Sequence, residues 1–398
     1  MANSNHGFKI VLEARQLFMD LICLVNALIL IVSGNPDSTL YSTLCRAYMV
    51  LFYGFFMIDG VRTGFAKFTG KQGALLGCML ISAFAAYLAN STGTVIDWLV
   101  LVLCYLELPL AVIMLQSFSE NYQLLNFRFV RFVACGIGAY FLYSAFVTPV
   151  FDAYSNSLTM GYTNSNRTGI YMLLIASLLA ILFKRSQKKL WRIIIFAELV
   201  GLSAAVPKTD SRMAVLCFIL LWLAMFFSEA MVKKLSKKSV LLIIIIPIVF
   251  VFLYMRVFSE SWLVDTIIYG KSLSSGRNYV YTAALSSIEG KWLLGNYAYA
   301  KFGNMHNALL SVLCSCGLLG AVLYVSFYTI AYREWLMFAK NNAKYALPFI
   351  LLLILYFEGL VEAALFTSGI MYAGLLSMVL IFIYCPANID MREEDYND

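Results

Sequence analysis

The sequence predicts an all-α polytopic membrane protein with about twelve transmembrane helices. Three observations carry that reading. First, 62% of the 398 residues are apolar and only 13% are charged; a soluble domain is nearer 45–50% apolar and roughly 25% charged. Second, the apolar residues fall into runs long enough to cross a hydrocarbon layer about 30 Å thick, which takes roughly 17–25 helical residues. Third, basic residues alternate from one connection to the next. Disordered, collagen-like and disulfide-scaffold classes are excluded by the same composition.

The runs, in chain order, are Leu17–Val32, Leu40–Ile58, Ala74–Ala89, Val95–Leu115, Phe129–Val147, Gly169–Phe183, Leu190–Val206, Met213–Phe227, Val240–Met255, Asn307–Ala331, Tyr345–Phe366 and Gly369–Tyr384. The polar stretch before Leu17 has no small-residue cleavage site, so the first run reads as a retained anchor. Of the 29 Lys and Arg residues, 20 fall in the N-terminus, in the connections around Arg62–Lys71, Arg128–Arg131, Lys184–Arg192, Lys233–Lys238 and Arg333–Lys344, and in the tail. The positive-inside rule places that set in the cytoplasm together with both termini. No internal repeat or soluble domain is visible, so residues 1–398 read as one transmembrane domain. All nine cysteines lie in or beside apolar runs without CxxC spacing and read as small buried side chains.

Polar residues are concentrated on the opposite, extracytoplasmic face. Residues 258–305 form the longest connection, too long to be an idle link. Within it, Val280, Tyr281, Ala284, Leu285 and Ile288 form one apolar stripe at helical spacing, and Gly290 ends the run. A serine from Ser274-Ser275 is expected at the N-cap, with Arg277 in the first turn. Free backbone N–H groups beside a guanidinium suit a phosphate or diphosphate. The same pattern also describes an amphipathic helix in the headgroup layer, with Arg277 reaching for lipid phosphates.

His306 opens the tenth span beside Asn307 and is one of only two histidines in the chain. An imidazole there serves as a base, as a hydrogen-bond donor to phosphate, or as a structural residue. Lys208-Thr209-Asp210-Ser211-Arg212 places a second cationic cluster between two spans, readable as an anion site or an interfacial ion pair. Asn164-Ser165-Asn166-Arg167 precedes the sixth span; Arg167 either lines the same face or anchors a helix end. Glu107, Glu198, Glu358 and Glu362 are the ionisable residues inside spans, where charge is costly. Walker A, GxGxxG and HExxH patterns are missing and no outer carboxylate or histidine set has metal-ligand spacing, so no cofactor and no metal are expected.

Ser211-Arg212, Ser274–Arg277 with Tyr279, Leu294-Gly295, His306-Asn307 and Cys316-Gly317-Leu318-Leu319-Gly320 follow one another in an order that resembles the O-antigen polymerase/ligase superfamily. The resemblance covers roughly Val206 to Leu323 by motif and the whole chain by topology. It implies a metal-independent glycosyltransferase of the bacterial cytoplasmic membrane, acting on a polyprenyl-diphosphate-linked oligosaccharide. Arg212, Arg277 and His306 match the family's essential residues; Arg167, Lys208, Asp210, Ser275, Tyr279 and Asn307 are the expected substrate contacts. Membrane lipids, a flippase and a chain-length regulator are the implied partners, and nucleic acid is not. Tyr279 and Tyr281 stand where many relatives have tryptophan. A repeat-unit polymerase is the favoured expectation, with an O-antigen ligase as the enzyme rival. A flippase or secondary transporter is the rival from another class, and a non-catalytic scaffold the third.

Overall fold

The computed structural model describes residues 70–90, 127–162 except 154, 164–257, 276–296 and 305–358, two short strands near 270, and scattered positions in 17–54 and 94–112. Helices α1 (Gly70–Ala89), α2 (Phe127–Phe146), α3 (Ser165–Arg185), α4 (Lys189–Ala205), α5 (Arg212–Lys234) and α6 (Lys237–Val257) are followed by α7 (Arg277–Ser287), α8 (Ala308–Asn341) and α9 (Ala346–Glu358). All but α7 and α9 are long and apolar enough to cross a membrane, seven spans among the described residues. Their starts agree with the expected runs to within a few residues, while α5 runs on to Lys234 past the expected Phe227 and α8 to Asn341 past the expected Ala331. The runs at Leu17–Val32, Leu40–Ile58, Val95–Leu115 and Gly369–Tyr384, and the end of Tyr345–Phe366, lie wholly or partly outside the described residues.

Short links between successive helices, such as residues 186–188 and 235–236, reverse the chain direction. Lys184 and Arg185 at the end of α3, Lys233 and Lys234 at the end of α5, and Lys237 and Lys238 at the start of α6 therefore share one end of the bundle. That end is here termed the basic end.

At the centre stands α3, with 83% of its span residues buried. It packs against α2, α4, α5 and α9, while α8 packs against α1 and α6. A helix apolar on every side belongs inside such a bundle. Gly169 admits α5 closely: a Cβ there would stand 2.7 Å from the Ala214 Cβ. Buried phenols lock neighbouring helices, Tyr332 donating to the Leu352 carbonyl (2.9 Å) and Tyr356 to that of Ile244 (2.8 Å).

The tenth span departs from a continuous crossing. Gly317 has φ 68° and ψ −169°, which divides α8 into a short arm (308–316) and a long arm (318–341). The connection before it fills the break. Leu318 and Leu319 donate their N–H groups to the carbonyls of Trp292 (2.7 Å) and Leu293 (3.2 Å), and Asn296 N donates to the Cys314 carbonyl (2.8 Å). Backbone groups orphaned by the break are thus satisfied by a strap, residues 291–296, as apolar surroundings require.

The two arms start at different depths. Near the basic end, Gln72 of α1 donates to Glu334 (3.1 Å) and Arg333 Nε donates to the Lys237 carbonyl of α6 (3.1 Å). At the far end of α1, Asn90 donates to the Gly295 carbonyl beside the break (3.2 Å). Asn307, by contrast, donates to the carbonyl of Pro247 (3.1 Å), near the middle of α6. The short arm therefore begins at mid-depth and rises about 13 Å to the break. Every residue from Ala308 to Gly317 is buried, as an interrupted helix at this depth demands.

The expected 258–305 connection is described in part. Ile267–Ile268 pairs antiparallel with Lys271–Ser272, and α7 follows. Its apolar stripe is as expected, with Tyr281, Ala284 and Ile288 buried. Its cap is not the expected serine: Gly276, at φ 71°, occupies the N-cap without a side-chain bond. A left-handed entry suits glycine, which has no Cβ to clash.

Candidate anion site at the end opposite the basic end

Arg212 is the first residue of α5. The chain reaches it through a 3-10 turn, Val206–Thr209, and a left-handed Asp210 (φ 51°). Thr209 Oγ1 donates to the Val206 carbonyl (2.7 Å) and accepts from Ser211 N (3.2 Å). Ser211 then caps the helix, its hydroxyl accepting from Ala214 N at 3.5 Å. The polar residues around Arg212 thus build a compact turn that aims one guanidinium. The turn is also tied to the preceding loop, Leu158 N donating to the Lys208 carbonyl (2.7 Å).

Arg277 is the first residue of α7, a short helix held against α6 and α8. The rings of Tyr254 and Tyr281 meet edge-to-face at 5.5 Å, and Cys314 Sγ donates to the Ala284 carbonyl at 3.4 Å.

Arg212 and Arg277, from separate stretches of chain, lie within electrostatic reach of one another. The phenol of Tyr254 lies within electrostatic reach of both. Neither α5 nor α7 has an acidic residue in its first turn. A helix N-terminus carries about half a positive charge, so cations there are disfavoured by a few tenths to about 1 kcal/mol each. Two guanidinium groups at two helix N-termini suit an anion, because the forks fit phosphate oxygens and the helix poles favour negative charge.

His306 is half-buried and adopts a left-handed conformation (φ 51°) immediately before the cap of the short arm. A non-glycine residue held there costs about 1–2 kcal/mol, which the surrounding packing must impose. Asn307, expected as a substrate contact, is fully buried. Its Oδ1 accepts from Leu310 N (2.9 Å) while its Nδ2 serves Pro247. The geometry makes it a cap and a strut that hold His306 in place.

The remaining expected contacts that are described lie in the turn before Arg212, in the first turn of α7 and at the start of α3. Arg167 is exposed in the first turn of α3. Lys208 places its ammonium 4.0 Å over the Phe146 ring. Tyr279 is 74% exposed, whereas Tyr281 on the same helix is buried. Ser275, Glu107 and Glu362 lie outside the described residues. Glu198 and Glu358 are buried within helices, and Glu198 nearly fills the space left by Gly138, whose Cβ would stand 2.6 Å from its Oε2. Among the described residues, no three His, Cys, Asp or Glu side chains are grouped to hold a metal.

Two elements escaped sequence reasoning. Tyr254 reads in the sequence as an ordinary aromatic at a span end. Lys291, whose ammonium donates to Asn90 Oδ1 (2.8 Å) and Asn296 Oδ1 (3.2 Å), ties the strap to the end of α1. In the sequence Leu294-Gly295 and Cys316-Gly317 read only as motifs of the resemblance and not as a backbone crossing. Comparison with protein-family models and with curated proteins returns no match for this chain.

Proposed function

We propose that the chain is a polysaccharide repeat-unit polymerase. It extends a glycan at the outer face of a bacterial cytoplasmic membrane by transferring it from a polyprenyl-diphosphate carrier to a lipid-linked oligosaccharide. The observation that carries this reading is that Arg212, Arg277 and Tyr254 lie within electrostatic reach of one another at the end of the bundle opposite the basic end. By the positive-inside rule that end faces outward.

In the proposed step an acceptor hydroxyl oxygen attacks the anomeric carbon of the donor glycan. The bond from that carbon to the diphosphate oxygen breaks, and its electron pair stays with the lipid diphosphate. Negative charge grows on the leaving group beside the two guanidinium groups, which stabilise the transition state more than the ground state. His306, which Asn307 follows as the cap of the short arm, is assigned the hydroxyl proton from the His306-Asn307 motif of the resemblance and not from proximity to the arginines.

Purified protein incubated with its lipid-linked repeat unit alone should release lipid diphosphate and build a ladder of products. Arg212→Lys and Arg277→Lys keep charge but lose the fork, and each should reduce turnover by about 10²-fold or more. Growth only on a different acceptor would turn the assignment to a ligase.

The interrupted helix favours a second reading, a transporter for an anionic lipid-linked substrate, because transporters place sites at broken helices. Under that reading Glu358→Gln abolishes uptake or flipping while both Arg→Lys variants retain it.

A further inference from the structure

At the basic end, away from the arginine pair, a cavity of about 320 Å³ opens where α3 and α5 finish and α9 begins. Lys184, Arg185 and Lys344 contribute three positive charges to its wall and Glu229 one negative charge. Ile181, Leu347 and Pro348 form an apolar side; Ile181 and Leu347 are themselves buried in the bundle. The start of α9, with no acidic residue in its first turn, adds the positive pole of a helix to the same space.

Such a wall has two halves with different ligand preferences. Three cations and a helix N-terminus select a phosphate oxyanion. An apolar side adds nothing for a free phosphate, but it does suit the glycerol and first methylenes of an acyl chain, because burying apolar surface is favourable. The volume stands at the small end of ligand cavities, enough for a headgroup. Its position is where helices leave the apolar layer among basic residues, the level of lipid phosphates.

We infer that this cavity binds the phosphate diester of an anionic phospholipid, seated between the ends of α3 and α5 and the start of α9. The site is independent of the polymerase reading and would stand if that reading failed.

The test uses the full-length protein in bilayer discs of equal parts phosphatidylcholine and phosphatidylglycerol, released into native mass spectrometry. The wild type should retain phosphatidylglycerol in preference to phosphatidylcholine. The triple variant Lys184→Gln, Arg185→Gln, Lys344→Gln should lose that retention by more than about tenfold, since each basic residue near a lipid surface contributes about fivefold. A control triple at the same end but outside the cavity, Lys189→Gln, Lys238→Gln, Lys340→Gln, removes equal charge and should leave retention unchanged. Glu229→Gln removes the one acid from the wall and should strengthen retention, which keeps the test open if the first triple fails to fold. Equal loss in both triples, or equal retention of the two lipids, would overturn the inference by reducing it to diffuse leaflet electrostatics. Displacement of the lipid by millimolar inorganic phosphate would overturn the lipid source and assign the cavity to a soluble phosphate.

Discussion

The backbones of Gly295 and Gly317 cross in direct contact: a Cβ on Gly295 would stand 2.5 Å from the Gly317 nitrogen, and one on Gly317 would strike the Leu293 carbonyl. Both glycines also have positive φ, 77° and 68°. This crossing lets the strap satisfy the break in α8, and through α7 it fixes where Arg277 begins.

Gly295→Ala and Gly317→Ala should each destabilise the protein by about 3 kcal/mol or more, combining a left-handed penalty with a clash against backbone that cannot swing aside. Thermal melts in detergent check the magnitude. Protection of the amides of Leu318 and Leu319 against hydrogen exchange should fall with it.

Arg212 and Arg277 each begin a helix whose first turn holds no acidic residue. Arg277→Gln should raise the stability of the ligand-free protein by about 0.3–1 kcal/mol, by relieving a cation at a helix N-terminus and its neighbour. Calorimetric binding of inorganic diphosphate should weaken in the same variant. A melt that drops, or unchanged binding, would count against the anion site.

Tyr254→Phe keeps the ring against Tyr281 and removes only the phenolic oxygen. Stability should change by less than about 1 kcal/mol, while diphosphate affinity should fall about tenfold if the hydroxyl joins the guanidinium groups on the ligand.

Asn307 separates positioning from binding. Asn307→Ala loses the cap, about 1 kcal/mol, and the bond to Pro247, about 1 kcal/mol more. Asn307→Ser should restore the cap alone. Under the polymerase proposal, KM for the lipid-linked repeat should move far less than kcat in the folded variant, because the Asn307 side chain caps the helix after His306 and does not face the substrate.

Sequence alone determined that the described part of the chain is a set of apolar, membrane-length helices. Apolar runs near Ala74, Phe129, Gly169, Leu190, Met213 and Val240 became helices within a few residues of expectation, since length and hydrophobicity leave few other solutions in an apolar solvent. It also marked Arg212, Arg277 and His306, because charge and imidazole are scarce in such a chain. Tertiary structure alone decided three things. Asn307 is spent on a cap and a strut, which depends on Pro247 standing beside it. Tyr254 comes within electrostatic reach of both arginines, and its ring meets Tyr281 where α7 packs against α6. The tenth span breaks at Gly317 because strap residues arrive to replace its lost backbone bonds. Hydropathy sums over one segment, so it reports how apolar that segment is; it carries no record of which distant carbonyl will accept a given N–H.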